Sequence, residues 1–317
     1  MNRMRHARAS LVVLALLALG ACGGQAASGQ GDGGTVDGSA LDGQPDSTDL
    51  DAGSDGADAT SATDATDATG IGDAAAEGEA APPYTGPTVM FSGEAVESPS
   101  ATPLGGVTVC VYAEPGIPCV MASPTGQFSV PVPANSNTAV TLSLPGYDSV
   151  LVATVTDGQD QSGWEIGMAA ASDMGVIFSA LGTAYPNSAA GFLGAYVNDS
   201  SSGTFEGLAG VTTSFAPQSG SGPIYITNNG APSTSLTATS SWGESFFGTI
   251  TPGEVTVLWA PASASSTLTC TPNFGGWPSS LPNAVRAPIA AGFDTHLGMA
   301  CTLSTVDAGT PTDASSE

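Results

Sequence analysis

Apolar and polar residues alternate along short segments from about residue 87 onward, which is the spacing of β-strands with one buried face. In residues 106–113 the side chains of Val107, Val109 and Val111 share one face, and residues 127–133 repeat the pattern. Glycine, proline and asparagine separate such segments about every eight to twelve residues. The alternation therefore predicts one β-sandwich over residues 87–165 and a second over residues 191–304.

One segment between these two regions has the period of a helix. Residues 172–182 place apolar side chains three and four positions apart, at Met174, Ile177, Phe178 and Leu181. Ser172 is a favourable N-cap residue, and Gly182 is a favourable C-terminal stop. We therefore predict a helical connector at residues 166–190 whose apolar stripe packs against one or both sandwiches. The predicted fold class is all-β, with two tandem small sandwiches of the Ig-like or transthyretin-like kind joined by this short helix.

The segment that precedes the first sandwich has a different composition. Residues 23–86 consist mainly of Asp, Ala, Thr, Gly and Ser, with few large apolar side chains. Such a segment cannot bury enough surface to offset its ordering entropy, so we predict a disordered acidic linker there and a disordered tail at residues 305–317. The aspartates of residues 37–49 lack the EF-hand pattern, which makes calcium binding the weaker alternative to a solvated tether.

The N-terminus predicts export. Residues 1–22 combine a basic start with a short apolar run, too short to span a bilayer, as in a signal peptide. The run ends in Leu19-Gly20-Ala21-Cys22, which resembles the bacterial lipobox. This resemblance implies that Cys22 is lipidated and that the chain is anchored to a membrane. The residue after Cys22 is Gly23. An aspartate there would imply retention at the inner membrane, so Gly23 implies transfer to the outer membrane. The protein would then face either the periplasm or the exterior. An ordinary signal peptide with a chance cysteine is the alternative.

The charge balance excludes two classes of partner. The chain has 29 acidic residues and no lysine, and Arg286 is its only arginine after the signal peptide. No surface that neutralises phosphates can be built from this composition, so nucleic acid is excluded as a partner. Electrostatic docking on anionic lipid is disfavoured for the same reason.

Four cysteines remain after Cys22, and an even number in an exported chain predicts disulfides. Three pairings are possible, and proximity in sequence favours Cys110 with Cys119 and Cys270 with Cys301. The second pair alternates with leucines and should be buried, whereas Cys110 lies on the face opposite the valines and should be nearer the surface. Residues 115–116 have the composition of a type II turn, which makes residues 106–119 a hairpin closed by a disulfide.

The first sandwich region resembles a known family. Its sequence is similar to the carboxypeptidase regulatory-like, transthyretin-type β-sandwich at Pro103, Leu104, Gly106, Val107, Val109, Gly126, Phe128, Gly146 and Tyr147. The second region matches more loosely, at Leu208, Gly210, Val211, Gly243, Phe246, Pro252 and Gly253. The resemblance implies modules that serve folding, spacing or binding. Related pilin-type sandwiches cross-link themselves through lysine, and this chain has none.

The sequence offers little for catalysis, and we predict no catalytic residue, cofactor or metal. His296 is the only histidine after the signal peptide, and with Asp294 and a serine it would make a hydrolytic triad. No nucleophile-elbow pattern surrounds any serine, so we expect His296 at the end of a surface strand. A carboxylate pair for hydrolysis stays open, although no pair stands out.

The tryptophans are the remaining candidates for ligand contact. Trp259 alternates with valines and should lie in the core, whereas Trp277 lies in an irregular Pro/Gly-rich loop and is the best candidate for a ligand platform. The sequence thus predicts a lipid-anchored envelope protein whose sandwiches serve binding, adhesion or structural presentation. A polysaccharide or a protein would be the ligand. An accessory or hydrolytic activity on polysaccharide or peptide is the alternative.

Overall fold

The structure is a computed structural model that describes residues 82–202 and 206–305. The signal peptide, Cys22, residues 23–81 of the predicted linker and residues 306–317 of the predicted tail lie outside the described residues. The described part is mostly strand with one helix, in agreement with the predicted all-β class. In chain order the elements are β1 Thr88–Ser98, β2 Thr102–Pro103, β3 Thr108–Val111, β4 Val120–Met121, β5 Gln127–Pro133, β6 Asn137–Ser143, β7 Val150–Val155, β8 Gln161–Ala169, α1 Ala171–Ala180, β9 Gly191–Asp199, β10 Val211–Ala216, β11 Ser221–Ile226, β12 Pro232–Ser233, β13 Glu244–Ile250, β14 Gly253–Pro261, β15 Ser266–Phe274, β16 Trp277–Pro278, β17 Ala284–Ile289 and β18 Asp294–Thr305.

The first half of the fold, β1 to β8, forms one sandwich. Strand β1 pairs with β5 and β2 in antiparallel fashion and with β8 in parallel. This sheet faces strands β3, β6 and β7, and the core between them is apolar because alternate residues of each strand point inward. The predicted inward faces are confirmed, since the core includes Val107, Val109, Val111, Phe128, Val130 and Val132.

The second half, β9 to β18, forms the other sandwich. A sheet in the order β10-β14-β17-β16 faces strands that include β9, β13 and β18. Trp259 is 2% exposed within this core, as its alternation with valines predicts. Leu297 and Met299 of β18 point into the same core.

The two sandwiches share one sheet. Strands of both halves form a ten-stranded sheet in which β18 runs parallel to β9 along its first eight residues and parallel to β7 at Asp294 and Thr295. Strand β7 is therefore buried on both faces. Val150 and Val152 contact the first core, whereas Leu151 and Ala153 contact the second. This double burial explains why β7 is almost continuously apolar.

Helix α1 covers the face of the shared sheet opposite the second core. Met174, Ile177 and Phe178 are buried against Phe192 of β9 and Phe246 of β13, so the predicted packing of the apolar stripe is confirmed. The predicted N-cap is wrong. The helix begins at Ala171 after Ala170, without a side-chain cap, because the Ala171 amide donates to the Gly146 carbonyl of the preceding loop.

Each half contains one disulfide. Cys110 is bonded to Cys119, across the β3–β4 hairpin, and Cys270 to Cys301, which are partners in the β15–β18 ladder. The hairpin turn differs from its predicted type. Gly116 is not among the glycines with positive φ, so the turn closed by the Ile117 amide and the Glu114 carbonyl is not type II.

Among the residues that the structure describes, no helix is both long and apolar enough to cross a bilayer.

Candidate functional site

Three ionisable side chains meet in the interior where the two halves join. Asp294 and His296 lie two residues apart on β18 and so project from the same face of the shared sheet. Asp148 directly precedes Ser149, whose carbonyl accepts the Asp294 amide at 2.7 Å. The Nε2 atom of His296 lies 3.2 Å from Oδ2 of Asp294 and 4.0 Å from Oδ2 of Asp148. All three residues are at most 2% exposed. We call them the buried cluster.

Burial and mutual charge control the protonation of this cluster. Burial raises the pKa of Asp148 to about 8, and the Asp294 carboxylate adds to the increase while His296 opposes it. For His296, burial alone would lower the pKa, but Asp294 and then Asp148 outweigh that effect and raise it above its ordinary value. The folded protein therefore holds at least one proton here around neutral pH.

The sequence expectation for His296 is wrong. We expected a surface histidine at a strand end, but β18 pairs with β9 at His296 and with β7 at the adjacent Asp294 and Thr295. Helix α1 packs on the face from which His296 projects. The side chain of Tyr196 packs its ring against the imidazole, with centroids 5.7 Å apart. The spacing of Asp294 and His296 on one strand was visible in the sequence. The contribution of Asp148 was not, because it lies more than a hundred residues earlier in the chain.

A cleft of about 360 Å³ opens beside the cluster. The two chain neighbours of Asp148, Tyr147 and Ser149, line it, and so does Tyr185 from the segment after α1. The backbone amide of Ser149 donates to the phenol of Tyr185, and the ring of Tyr185 stacks on Phe178 at 5.1 Å. Burial, with smaller effects of Asp148 and Asp294, raises the pKa of Tyr185. Tyr185 therefore stays a neutral phenol between the cleft and the cluster.

Tyr147 supplies a second aromatic ring to the cleft. Its hydroxyl donates to Oε1 of Glu97 at 3.3 Å, and its pKa is raised by partial burial first and by Glu97 second. Within the described part of the chain, the side chains that line this cleft include no carboxylate, imidazole or thiol. The cleft thus offers two tyrosines and hydroxyl groups, which suit binding better than acid–base chemistry.

Trp277 has a structural contact. It is half-buried on β16, and its indole Nε1 donates to the carbonyl of Thr138 on β6 at 2.9 Å. Because β6 belongs to the first half and β16 to the second, the side chain links the two halves. Its role as a ligand platform stays a prediction.

Other carboxylates of the described part are dispersed. Asp157 and Asp160 lie in the segment between β7 and β8, where Asp157 accepts a hydrogen bond from the Gln159 amide and Asp160 accepts one from the Met90 amide. Glu254 pairs with Arg286 at 2.9 Å on the surface. None of these carboxylates joins the buried cluster.

Glu244 is a further buried carboxylate, on β13 opposite Tyr196. Its Oε2 has no hydrogen-bond partner, and burial raises its pKa well above the ordinary value despite a hydrogen bond from Trp242. Tyr196 is also buried, and burial followed by the charge of Glu244 raises its pKa. The two groups therefore favour their neutral forms.

We expect Glu244→Gln to stabilise the protein at pH 8 by about 1–3 kcal/mol and to have less effect at pH 4. The folded state holds a proton on Glu244 that the unfolded state releases above pH of about 4.3, so the stability of the wild-type protein falls as pH rises above that value. The amide mimics the protonated acid and removes this loss. Urea unfolding at both pH values measures the difference in unfolding free energy between wild type and variant, with Glu206→Gln, at an exposed glutamate, as control. A variant that is less stable than wild type at pH 8 contradicts the account.

Comparison with known proteins adds information on the fold alone. No protein-family model matches the chain, and no curated protein matches it. Among solved structures, the shaft pilin SpaA of Lactobacillus rhamnosus GG is 11% identical, with 69% of this chain and 98% of that chain covered and a TM-score of 0.20. The streptococcal ancillary pilin is 12% identical, with coverages of 67% and 62% and a TM-score of 0.20.

The 3-chlorocatechol 1,2-dioxygenase of Rhodococcus opacus is 13% identical, with 27% of this chain and 61% of that chain covered and a TM-score of 0.22. This chain spans less than two thirds of the length of the dioxygenase and of the ancillary pilin. At these identities and TM-scores no function follows from the likeness. The chain is similar, weakly, to pilin and other β-sandwich domains.

Proposed function

We propose that this protein is a non-catalytic, lipid-anchored protein of the cell envelope whose fused sandwiches bind a ligand or present a structure at the cell surface. The observation that carries the proposal is the cleft beside the buried cluster, which combines Tyr147 and Tyr185 with hydroxyl groups and lacks an exposed acid–base pair. Aromatic rings with a polar edge are suited to stacking on sugars and to contacts with proteins. A polysaccharide or a protein segment is therefore the proposed ligand.

Two further features support a location outside the cytoplasm. A disulfide in each half is typical of proteins that fold in an oxidising compartment. The lipobox-like sequence that ends at Cys22 supplies the proposed anchor, with the residues up to about 86 as a tether. The sandwiches share a continuous sheet, so the tether would carry one stiff body.

The anchor is tested by mass spectrometry of the native protein. We expect the mature chain to begin at Cys22 and to carry acyl mass, and we expect Cys22→Ser to release the protein from the membrane fraction. A mature N-terminus without acyl mass on Cys22 contradicts the anchor and leaves the binding proposal to be decided by the next experiment.

Ligand binding is tested on a glycan array and on a panel of envelope proteins with the purified full-length chain. If the ligand occupies the cleft, Tyr147→Ala should abolish binding. If the ligand instead stacks on the ring of Trp277, Trp277→Ala should abolish binding and Trp277→Phe should retain it. Circular dichroism confirms that each variant is folded. Absence of any ligand, or turnover of a sugar or peptide that depends on a single carboxylate, would overturn the proposal.

A further inference from the structure

The buried cluster contains carboxylate oxygens that no group of the protein satisfies. The Oδ1 atoms of Asp148 and Asp294 are both inaccessible to solvent and have no hydrogen-bond partner. An unpaired carboxylate oxygen is among the costliest groups to bury, and buried charges in proteins are normally paired or bound to metal. Two such oxygens in one cluster mean that the protein leaves both carboxyl groups without a full set of partners.

The protein does not supply that partner as a cationic side chain. The chain has no lysine, and Arg286, its only arginine after the signal peptide, is bonded to Glu254 at the surface. The cluster therefore contains two carboxyl groups and only one side chain, the imidazole of His296, that can carry a positive charge. A neutral imidazole and two carboxylates would balance the charge of one divalent cation.

The geometry of the cluster fits such an ion. One oxygen from each aspartate and one imidazole nitrogen all lie within 4.8 Å of one another. The His296 Nε2 atom is 3.2 Å from Asp294 Oδ2 and 4.0 Å from Asp148 Oδ2. A tetrahedral ion with ligand bonds of about 2.1 Å holds its ligand atoms about 3.4 Å apart, so only small side-chain rotations separate the cluster from a coordinating arrangement.

The elements that carry the three ligands are rigid. Asp294 and His296 lie at the start of β18, where they pair with β9. The backbone amide of Asp148 donates a hydrogen bond to the Ala169 carbonyl at 2.9 Å. The neighbouring Ser149 carbonyl accepts the Asp294 amide, which fixes the two aspartates relative to each other. Two ligands on a strand, with a third whose backbone is fixed by hydrogen bonds, favour a defined site over adventitious binding.

We propose that Asp148, Asp294 and His296 form a binding site for one divalent transition-metal ion of the Zn²⁺ or Mn²⁺ class. The imidazole favours Zn²⁺ and the two carboxylates also suit Mn²⁺, whereas Ca²⁺ and Mg²⁺ prefer oxygen ligands alone. Three protein ligands leave one coordination position for water. The ion would also join the two halves of the fold, because it lies where β7 meets β18. This site is independent of the proposed ligand-binding cleft.

The test uses the purified full-length chain, stripped with chelator and titrated with Zn²⁺, Mn²⁺ and Co²⁺ by calorimetry and visible spectroscopy. We expect one ion per chain for Zn²⁺ or Mn²⁺, and Co²⁺ d–d bands that show nitrogen and oxygen ligation. Chelator should lower Tm by about 5 °C, and the preferred ion should restore it. Relative affinity for Zn²⁺ and Mn²⁺ decides between the two ions.

Variants assign the ion to the cluster rather than to the Asp-rich residues 23–86. His296→Gln and Asp148→Asn should weaken binding about 100-fold or more, whereas Asp157→Asn, at an exposed turn aspartate, should bind as wild type does. If the cluster variants do not fold, the wild-type Co²⁺ spectrum still assigns the ion, because a nitrogen ligand points to His296, the only histidine after the signal peptide. Absence of a stoichiometric ion, Tm unaffected by chelator, or equal binding by the cluster variants and Asp157→Asn overturns the proposal.

Discussion

Replacing both Cys270 and Cys301 with alanine is expected to lower the free energy of unfolding by about 3–4 kcal/mol, mainly by freeing the unfolded chain. The bond closes a loop of 31 residues and joins directly opposed residues of β15 and β18. Cys301 is fully buried in the second core, so its removal also leaves a small void. Denaturant unfolding of wild type and variant measures the difference.

The other disulfide provides a matched control. Cys110 and Cys119 are only nine residues apart, and Cys119 is exposed at the hairpin. The same loop-closure argument predicts a loss of about 2.5–3 kcal/mol when both are replaced with alanine. A loss larger than that of the Cys270–Cys301 pair would show that loop length does not control the stabilisation by these bonds.

The second large effect is expected at the buried cluster. His296→Leu should cost about 3–5 kcal/mol of unfolding free energy, because it leaves Asp148 and Asp294 buried together without the imidazole. Unfolding is measured in the presence of chelator, so that a bound ion contributes nothing to either protein. The leucine is apolar and of similar bulk, which separates the loss of charge pairing from the loss of volume.

A double-mutant cycle isolates the electrostatic part of this effect. Asp294→Asn removes one of the two carboxyl groups. In the wild-type protein, Oδ2 of Asp294 lies only 3.2 Å from Nε2 of His296. We therefore expect the Asp294→Asn/His296→Leu double variant to be less destabilised than the sum of the single variants by about 1 kcal/mol or more. Additive losses, or a cost of His296→Leu below about 1 kcal/mol, contradict direct pairing of the two residues.

The strand pattern could be predicted from local sequence. The alternation of Val107, Val109 and Val111 identifies an inward face, and the apolar stripe that includes Phe178 identifies α1, because both patterns depend on the backbone repeat of a single element. The N-cap of α1 was assigned two residues late, because the loop carbonyl of Gly146 satisfies the first helical amide from outside the segment.

The candidate site was only half visible in the sequence. Asp294 and His296 share a face because they are two residues apart on one strand, and this much follows from the strand period. Their burial depends on β7, β9 and α1, which come from earlier in the chain. The same holds for the cleft, since Tyr147 and Tyr185 flank α1 in sequence and meet only after the helix docks.

The sequence by itself determined the all-β class, the inward faces of the strands, helix α1 and the exclusion of a basic surface, because these depend on composition and on short-range periodicity. Tertiary structure alone decided that the two sandwiches share a sheet, which places Asp148 beside Asp294 and His296. Parallel pairing of β18 with β7 and β9 joins strands far apart in the chain, and no local pattern encodes which distant strand will be the neighbour.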